Sequence, residues 1–402
     1  MNSLKSNIRY NRELVLVLFI ISGSIKSIFI YYKINLYLDL TLLAGLLMVA
    51  DLLIYKHNIK NAFITNNLLL LSFTFYVFLS LVWSESTEFK YIKVFLFFTN
   101  ILGYFYSTVV IDKLNKKLFW EIFIVITTLA SLWFSTLLRG YIDGSNYSKV
   151  KPILGFYLSS SLYAGISIIV LYLKTVFIKR PYIKYFFLFT NIVLLAILGG
   201  RAPILFLILT IVSLSIVNYK SIFRSIRNIK VSKNQLFSIP FGVSALIGTI
   251  FFFYETIQIL AARTLQRLQL IFERIFGSNI TSDMSSTNER IEHYNFSFEK
   301  ITNGFSEFLF GYGFGSYGIY KLGQDIKLYP HNILLEMLFE VGLVGTSLLI
   351  MFIYFNVPKK ITIFAMAISI FLLLNFLKSY SIIDIRIFFC LIPLIYFNNE
   401  RK

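Results

Sequence analysis

Pro330, His331 and Asn332 stand in a row, followed by Glu336, Glu340, Gly342 and Gly345. A neutral imidazole takes up a proton near neutral pH, so a histidine at a polar helix end suits general-base chemistry. Pro330 is placed to open a helix, where its missing N–H would be unpaired anyway. His331 and Asn332 then fall in the first turn. Free backbone N–H groups and the positive end of the helix dipole lie there, which suits an anion and disfavours protonating His331. Asn332, Glu336 and Glu340 recur every four residues and share a face, with Glu340 about 13 Å down the helix at 1.5 Å per residue. A carboxylate that deep in a membrane needs a partner. The plainer alternative makes His331 an interfacial cap and pairs the glutamates with structural arginines.

Gly199-Gly200-Arg201-Ala202-Pro203 reads as a tight turn that places an arginine fork beside another helix N-terminus. A guanidinium with free N–H groups suits a phosphate or pyrophosphate; alternatively, Arg201 snorkels to the interface. Arg290 follows Thr287 and Asn288, either of which could cap a short helix starting near Glu289. Between Thr256 and Phe276, Arg263, Arg267 and Arg274 line one stripe opposite Leu265, Leu268, Phe272 and Ile275, as in a helix lying on a membrane surface. Gly311-Tyr312-Gly313-Phe314-Gly315 is a glycine-aromatic turn, not a dinucleotide fingerprint, because no strand precedes it. His57, His293 and His331 are far apart and Cys390 is the single cysteine, so no metal motif and no disulfide framework is expected.

The elements that must hold these residues are membrane helices. The chain has 402 residues, of which 57% are hydrophobic and 14% charged, and its mean hydropathy is +0.73. Apolar runs long enough to cross a bilayer recur at 14–32, 36–55, 67–83, 92–111, 118–138, 153–173, 182–199, 202–219, 236–254, 331–355, 361–377 and 382–398. The predicted fold is an all-α bundle of twelve spans. Spans one to nine fill 1–254, a large outer loop fills 255–330, and the last three spans fill 331–402. The first run lacks a small-residue cleavage site and reads as a retained helix. The net charge of +18 comes from basic residues in short loops, not from one basic face, so nucleic acid is not an expected partner. With both termini inside, the inner loops carry Lys56 and Lys60, then Lys113, Lys116 and Lys117, then Lys179, Arg180 and Lys184. They continue with Lys220, Arg224, Arg227, Lys230 and Lys233, then Lys359 and Lys360.

The Pro330-His331-Asn332 segment with Glu336, Glu340, Gly342 and Gly345, together with Gly311-Tyr312-Gly313, resembles the signature of the O-antigen polymerase and O-antigen ligase superfamily of bacterial envelopes. The Arg201 turn resembles its second signature, with Ala202 where glycine is frequent. Trp83-Ser84 followed by Lys90 is a weaker third match. The resemblance implies a multispanning inner-membrane protein similar to lipid-donor (GT-C-like) glycosyltransferases. It implies metal-independent, cofactor-free transfer of a glycan from an undecaprenyl-pyrophosphate carrier at the periplasmic face. Polymerisation of repeat units for lipopolysaccharide is favoured over ligation to lipid A-core, and a flippase of lipid-linked sugars is the alternative from another class. Carried over, His331 is the general base, Arg201 and Arg290 hold the pyrophosphate, and Asn332, Glu336, Glu340, Arg263 and Arg267 support them. Membrane lipid, the lipid-linked oligosaccharide and a chain-length regulator protein are the implied partners.

The charge asymmetry makes a direct prediction. Single cysteines in a Cys390→Ser background are expected to react with an impermeant thiol reagent at 255–330 and to be protected at 220–234 in intact spheroplasts. Labelling of 220–234 would overturn the orientation.

Overall fold

The structure is a computed structural model. It describes residues 11–34, 39–55, 65–142, 155–173, 176–177, 181–198, 201–217, 285–358 and 361–396, with isolated residues between 247 and 258. Among them the fold is entirely helical. The membrane-type helices are α1 (Arg12–Tyr31), α2 (Leu40–Ile54), α3 (Thr65–Ser80), α4 (Phe89–Val110), α5 (Lys116–Ile142), α6 (Phe156–Leu173), α7 (Pro181–Ile197) and α8 (Arg201–Val217). Three polar or short helices follow, α9 (Ser285–Thr302), α10 (Phe305–Phe310) and α11 (Tyr317–Leu322), and then α12 (Ile333–Asn356), α13 (Ile363–Ser379) and α14 (Arg386–Tyr396). The helices α1, α4, α5, α6 and α12 are long and apolar enough to cross a membrane; α2, α3, α7, α8, α13 and α14 are apolar but shorter. Large side chains such as Phe75, Tyr91, Phe95, Ile216 and Tyr354 point outward from them, as a surrounding lipid allows. Eleven of the expected spans coincide with these helices. The ninth, 236–254, and the expected surface helix with Arg263, Arg267 and Arg274 lie outside the continuously described residues.

Polar ties sort the helix ends into two groups. At one end, Arg12 donates to both carboxylate oxygens of Asp51 at 3.1 and 3.0 Å, and the Asn115 N–H donates to Glu13 at 2.6 Å. At the other, Lys26 meets Asp39 at 2.6 Å, Lys327 meets Asp384 at 3.1 Å and the Tyr380 hydroxyl donates to Leu158 O at 3.0 Å. The grouping places the start of α1, the end of α2 and the start of α5 at one end, and the end of α1 and the start of α2 at the other. Asp51 is buried and would be costly without Arg12, so that pair fixes its end in register; the Lys26–Asp39 and Lys327–Asp384 pairs are exposed and contribute little. Within the bundle α3 packs along α12, α4 along α14, α6 along α7 and α1 along α2.

One helix is broken. Gly342 in α12 has φ 62° and ψ −168°, a region essentially open to glycine alone. The break frees two carbonyls, which would be orphaned in a low-dielectric interior. The Tyr312 N–H donates to Phe339 O at 2.8 Å and the Gly313 N–H to Glu340 O at 2.9 Å. Gly311, at φ 74° and ψ 179°, lets the two backbones meet. A Cβ on it would lie 2.5 Å from the carbonyl carbon of Glu340, and one on Gly342 would lie 2.3 Å from Leu309 O. The glycine-aromatic turn is therefore the plug of the broken helix. Gly342→Ala combines this clash with about 1–3 kcal/mol of backbone strain. It is expected to lower the thermal unfolding temperature in detergent by several degrees, whereas an unchanged midpoint would mean that the break is dispensable.

Candidate functional site

The α3–α4 corner carries the first part of the site. Glu88 precedes α4 without capping it, so the free N–H groups of that helix need another acceptor. Asp325 supplies it, accepting from the N–H of Thr87 at 2.9 Å, Glu88 at 2.6 Å and Phe89 at 3.2 Å, and from the Ser86 hydroxyl at 2.6 Å. Burial alone would raise the Asp325 carboxyl, but these hydrogen bonds outweigh it and hold the group well below the usual carboxylate range. Lys90 closes the opposite helix end, donating to Leu81 O and Ser84 O at 3.3 and 3.2 Å. Ser84 in turn donates to Phe314 O at 2.9 Å. The segment 311–325 is thereby fastened to both α12 and α4.

One turn into α4, Lys93 is buried against two carboxylates. Its Nζ donates to Glu336 Oε1 at 2.5 Å and to both oxygens of Glu340 at 2.7 Å, with 1% of the lysine side chain exposed and none of either glutamate. Glu336 also accepts from the Ser381 hydroxyl at 2.6 Å and the Ile382 N–H at 3.0 Å. The expectation that Glu336 and Glu340 share a face holds, but their partner is a lysine from another helix, not an arginine.

His331 sits elsewhere than expected. It lies before the helix, at φ 56°, and Asn332 is the N-cap. The Asn332 side chain accepts from the N–H groups of Leu334 and Leu335 at 2.9 and 3.1 Å. Pro330 therefore does not open the helix, His331 is not in its first turn, and Asn332 turns away from the glutamate face to cap. The cap also takes two of the N–H groups that an anion would have used. His331 packs its ring against Tyr329 and His293, at 4.8 and 5.8 Å between centroids. Neither of its ring nitrogens is hydrogen-bonded among the described residues. Burial first, then the positive fields of Arg290 and His293, bring its pKa down to about 4, so it is neutral at pH 7. Burial is the first cause of that lowering.

His293 shares a proton with the Tyr317 hydroxyl at 2.8 Å. Its own pKa is lowered by burial and then by Lys321, while burial pushes Tyr317 up to about 12. Arg290 lies within α9, which starts at Ser285, so neither Thr287 nor Asn288 is its cap. The guanidinium is half-buried, acts electrostatically on His331 and has no ion pair among the described residues.

The structure thus brings His331, Arg290 and His293 together, and separately Lys93, Glu336 and Glu340. Arg201 is the first residue of α8, but its side chain, like Arg263 and Arg267 entirely, lies outside the described residues. No group of three metal-binding side chains occurs among the described residues. Lys93, His293 and Asp325 had not been singled out. Lys93 alone had a sequence signal, a charge inside an apolar run that also had to find a partner. Set against known protein families and curated proteins, the chain matches no family model and no individual sequence.

Removing one member of a buried ion cluster leaves uncompensated charge, at a cost of about 3–5 kcal/mol. Lys93→Met is expected to destabilise the protein by about that amount in detergent unfolding. The triple variant Lys93→Met, Glu336→Gln, Glu340→Gln should recover most of the loss. A single variant as stable as the parent would show that the cluster holds nothing together.

Proposed function

We propose that the protein is a membrane glycosyltransferase that polymerises a surface polysaccharide. It transfers glycan from an undecaprenyl-pyrophosphate donor to a hydroxyl of another lipid-linked repeat unit. The observation that carries this reading is Arg290, which has no ion pair among the described residues, beside a neutral histidine, His331, whose ring nitrogens make no hydrogen bond among them. In this reading the chain crosses the inner membrane twelve times with both termini cytoplasmic, and His331 faces the periplasm under the 255–330 segment.

The acceptor hydroxyl gives its proton to a His331 nitrogen as its oxygen attacks the anomeric carbon. The bond from that carbon to the pyrophosphate oxygen breaks, and the pyrophosphate leaves with the bonding electrons. Arg290 and Arg201 offset the negative charge growing on it. The field of Arg290 that suppresses the basicity of His331 in the free protein is cancelled when the pyrophosphate arrives. Substrate binding therefore raises the base strength where it is needed. Glu336 and Glu340 act as scaffold through Lys93.

One observation favours a second reading. Buried charges beside a broken helix, Lys93 and Glu340 next to Gly342, are also the pattern of a transporter, here a flippase of lipid-linked sugars. Against it, both carboxylates of that cluster are already bound to the Lys93 ammonium.

A general base contributes about a hundredfold to ten-thousandfold in rate. His331→Ala is therefore expected to insert normally but to leave lipid A-core carrying a single repeat unit, read as one short band on a polysaccharide gel. Bare core with polymer stranded on the carrier would promote the ligase, and bare core with single units on the carrier the transporter. A normal ladder would remove His331 from the chemistry.

A further inference from the structure

Between α1, α6 and the corner joining α13 to α14 lies a cavity of about 380 Å³. Tyr329, whose ring packs on His331, lines it, as do Ser27, Tyr163, Lys327, Asp384 and Arg386. Its size falls at the lower end of the range for small-molecule pockets.

Arg386 is unevenly satisfied. Nη1 donates to Phe19 O at 3.0 Å, to Thr41 Oγ1 at 3.3 Å and to the Ser22 hydroxyl. Nε is buried with no partner, and Nη2 makes no hydrogen bond among the described residues. The two acids nearest in charge are engaged elsewhere, Asp39 by Lys26 and Asp384 by Lys327. A buried guanidinium without a counter-ion is expensive. Nε has no accessible surface, so Nη2 is the guanidinium nitrogen left to donate to an oxygen of a phosphate or carboxylate in the cavity. Lys327 adds a second positive charge at the wall, and Asp384 partly offsets it.

We propose that this cavity is an oxyanion subsite in which Nη2 of Arg386 holds a phosphate or carboxylate of the second saccharide substrate. The assignment rests on the polymerase reading, in which two lipid-linked molecules must be held at once, one through Arg290 and one here. The Tyr329 ring then stands between the subsite and His331.

The test uses the full chain in lipid nanodiscs and three probes: inorganic pyrophosphate, geranylgeranyl pyrophosphate and glucuronate. At least one is expected to bind, and Arg386→Gln to weaken it tenfold or more. Arg386→Lys, which keeps the charge, should restore part of the binding. Because Arg386 also ties α1 to α2, a second variant guards against misfolding. A Cβ on Gly23, which lines the cavity, would meet nothing within 4 Å. Gly23→Trp should therefore fill the space, abolish binding and leave the unfolding temperature unchanged. Binding of the pyrophosphates alone identifies the carrier phosphate, and binding of glucuronate alone an acidic sugar. No binding by the parent protein, or equal affinity in Arg386→Gln and Gly23→Trp, overturns the proposal. His331→Ala should retain this binding. If it did so while still making a normal polysaccharide ladder, the catalytic reading would fail and the subsite would stand.

Discussion

A single ammonium group shared by two carboxylates fixes the relation between α4 and α12. Lys93 Nζ reaches Glu336 and Glu340 one turn apart on α12, and Glu336 passes the tie on to Ser381 and Ile382 at the corner before α14. Water is excluded there, so each hydrogen bond is strong and each missing one costly. The helices α4 and α12 and the corner before α14 are thereby held at one depth and one rotation.

The second constraint is backbone satisfaction. An apolar surround leaves no water for an orphan carbonyl, so breaking α12 demands donors from another segment. Tyr312 and Gly313 provide them. The same segment delivers Phe314 beneath Lys93, with the ammonium 5.0 Å from the ring centroid. Polar satisfaction and charge burial are thus solved by one strand of chain, which explains why its glycines crowd so closely against α12, α3 and α4.

Helix positions were legible in the sequence because an apolar run of bilayer length admits few other structures. Basic loops carried the expected alternation, and the Arg12–Asp51 and Lys26–Asp39 pairs set α1 and α2 antiparallel. What stayed illegible was contact at long range. Lys93 lies 243 residues from Glu336, and nothing in local spacing announces the pair. Near His331 two local rules competed. Pro330 suits a first helical position, but Asn332 before an apolar run is the better cap, and its side chain can serve two N–H groups at once. The cap won, which pushed His331 out of the helix and into a left-handed conformation. Arg290 was misplaced for the opposite reason, since α9 begins a turn earlier than the polar residues around Asn288 suggest.

The cap that Asp325 places on α4 has a further meaning. With one end of the 311–325 segment pinned into α12 and the other into α4, that segment is welded to its wall of the bundle. Tyr329, hydrogen-bonded to Ser379 O at 3.4 Å, belongs to the opposite wall. The short stretch 326–332 therefore bridges two bodies, and His331, at φ 56°, rides on the bridge. Glu336 ties those same two walls together through Ser381 and Ile382, so the bridge hangs between fixed points and the reach of the histidine is set by the backbone of 326–332.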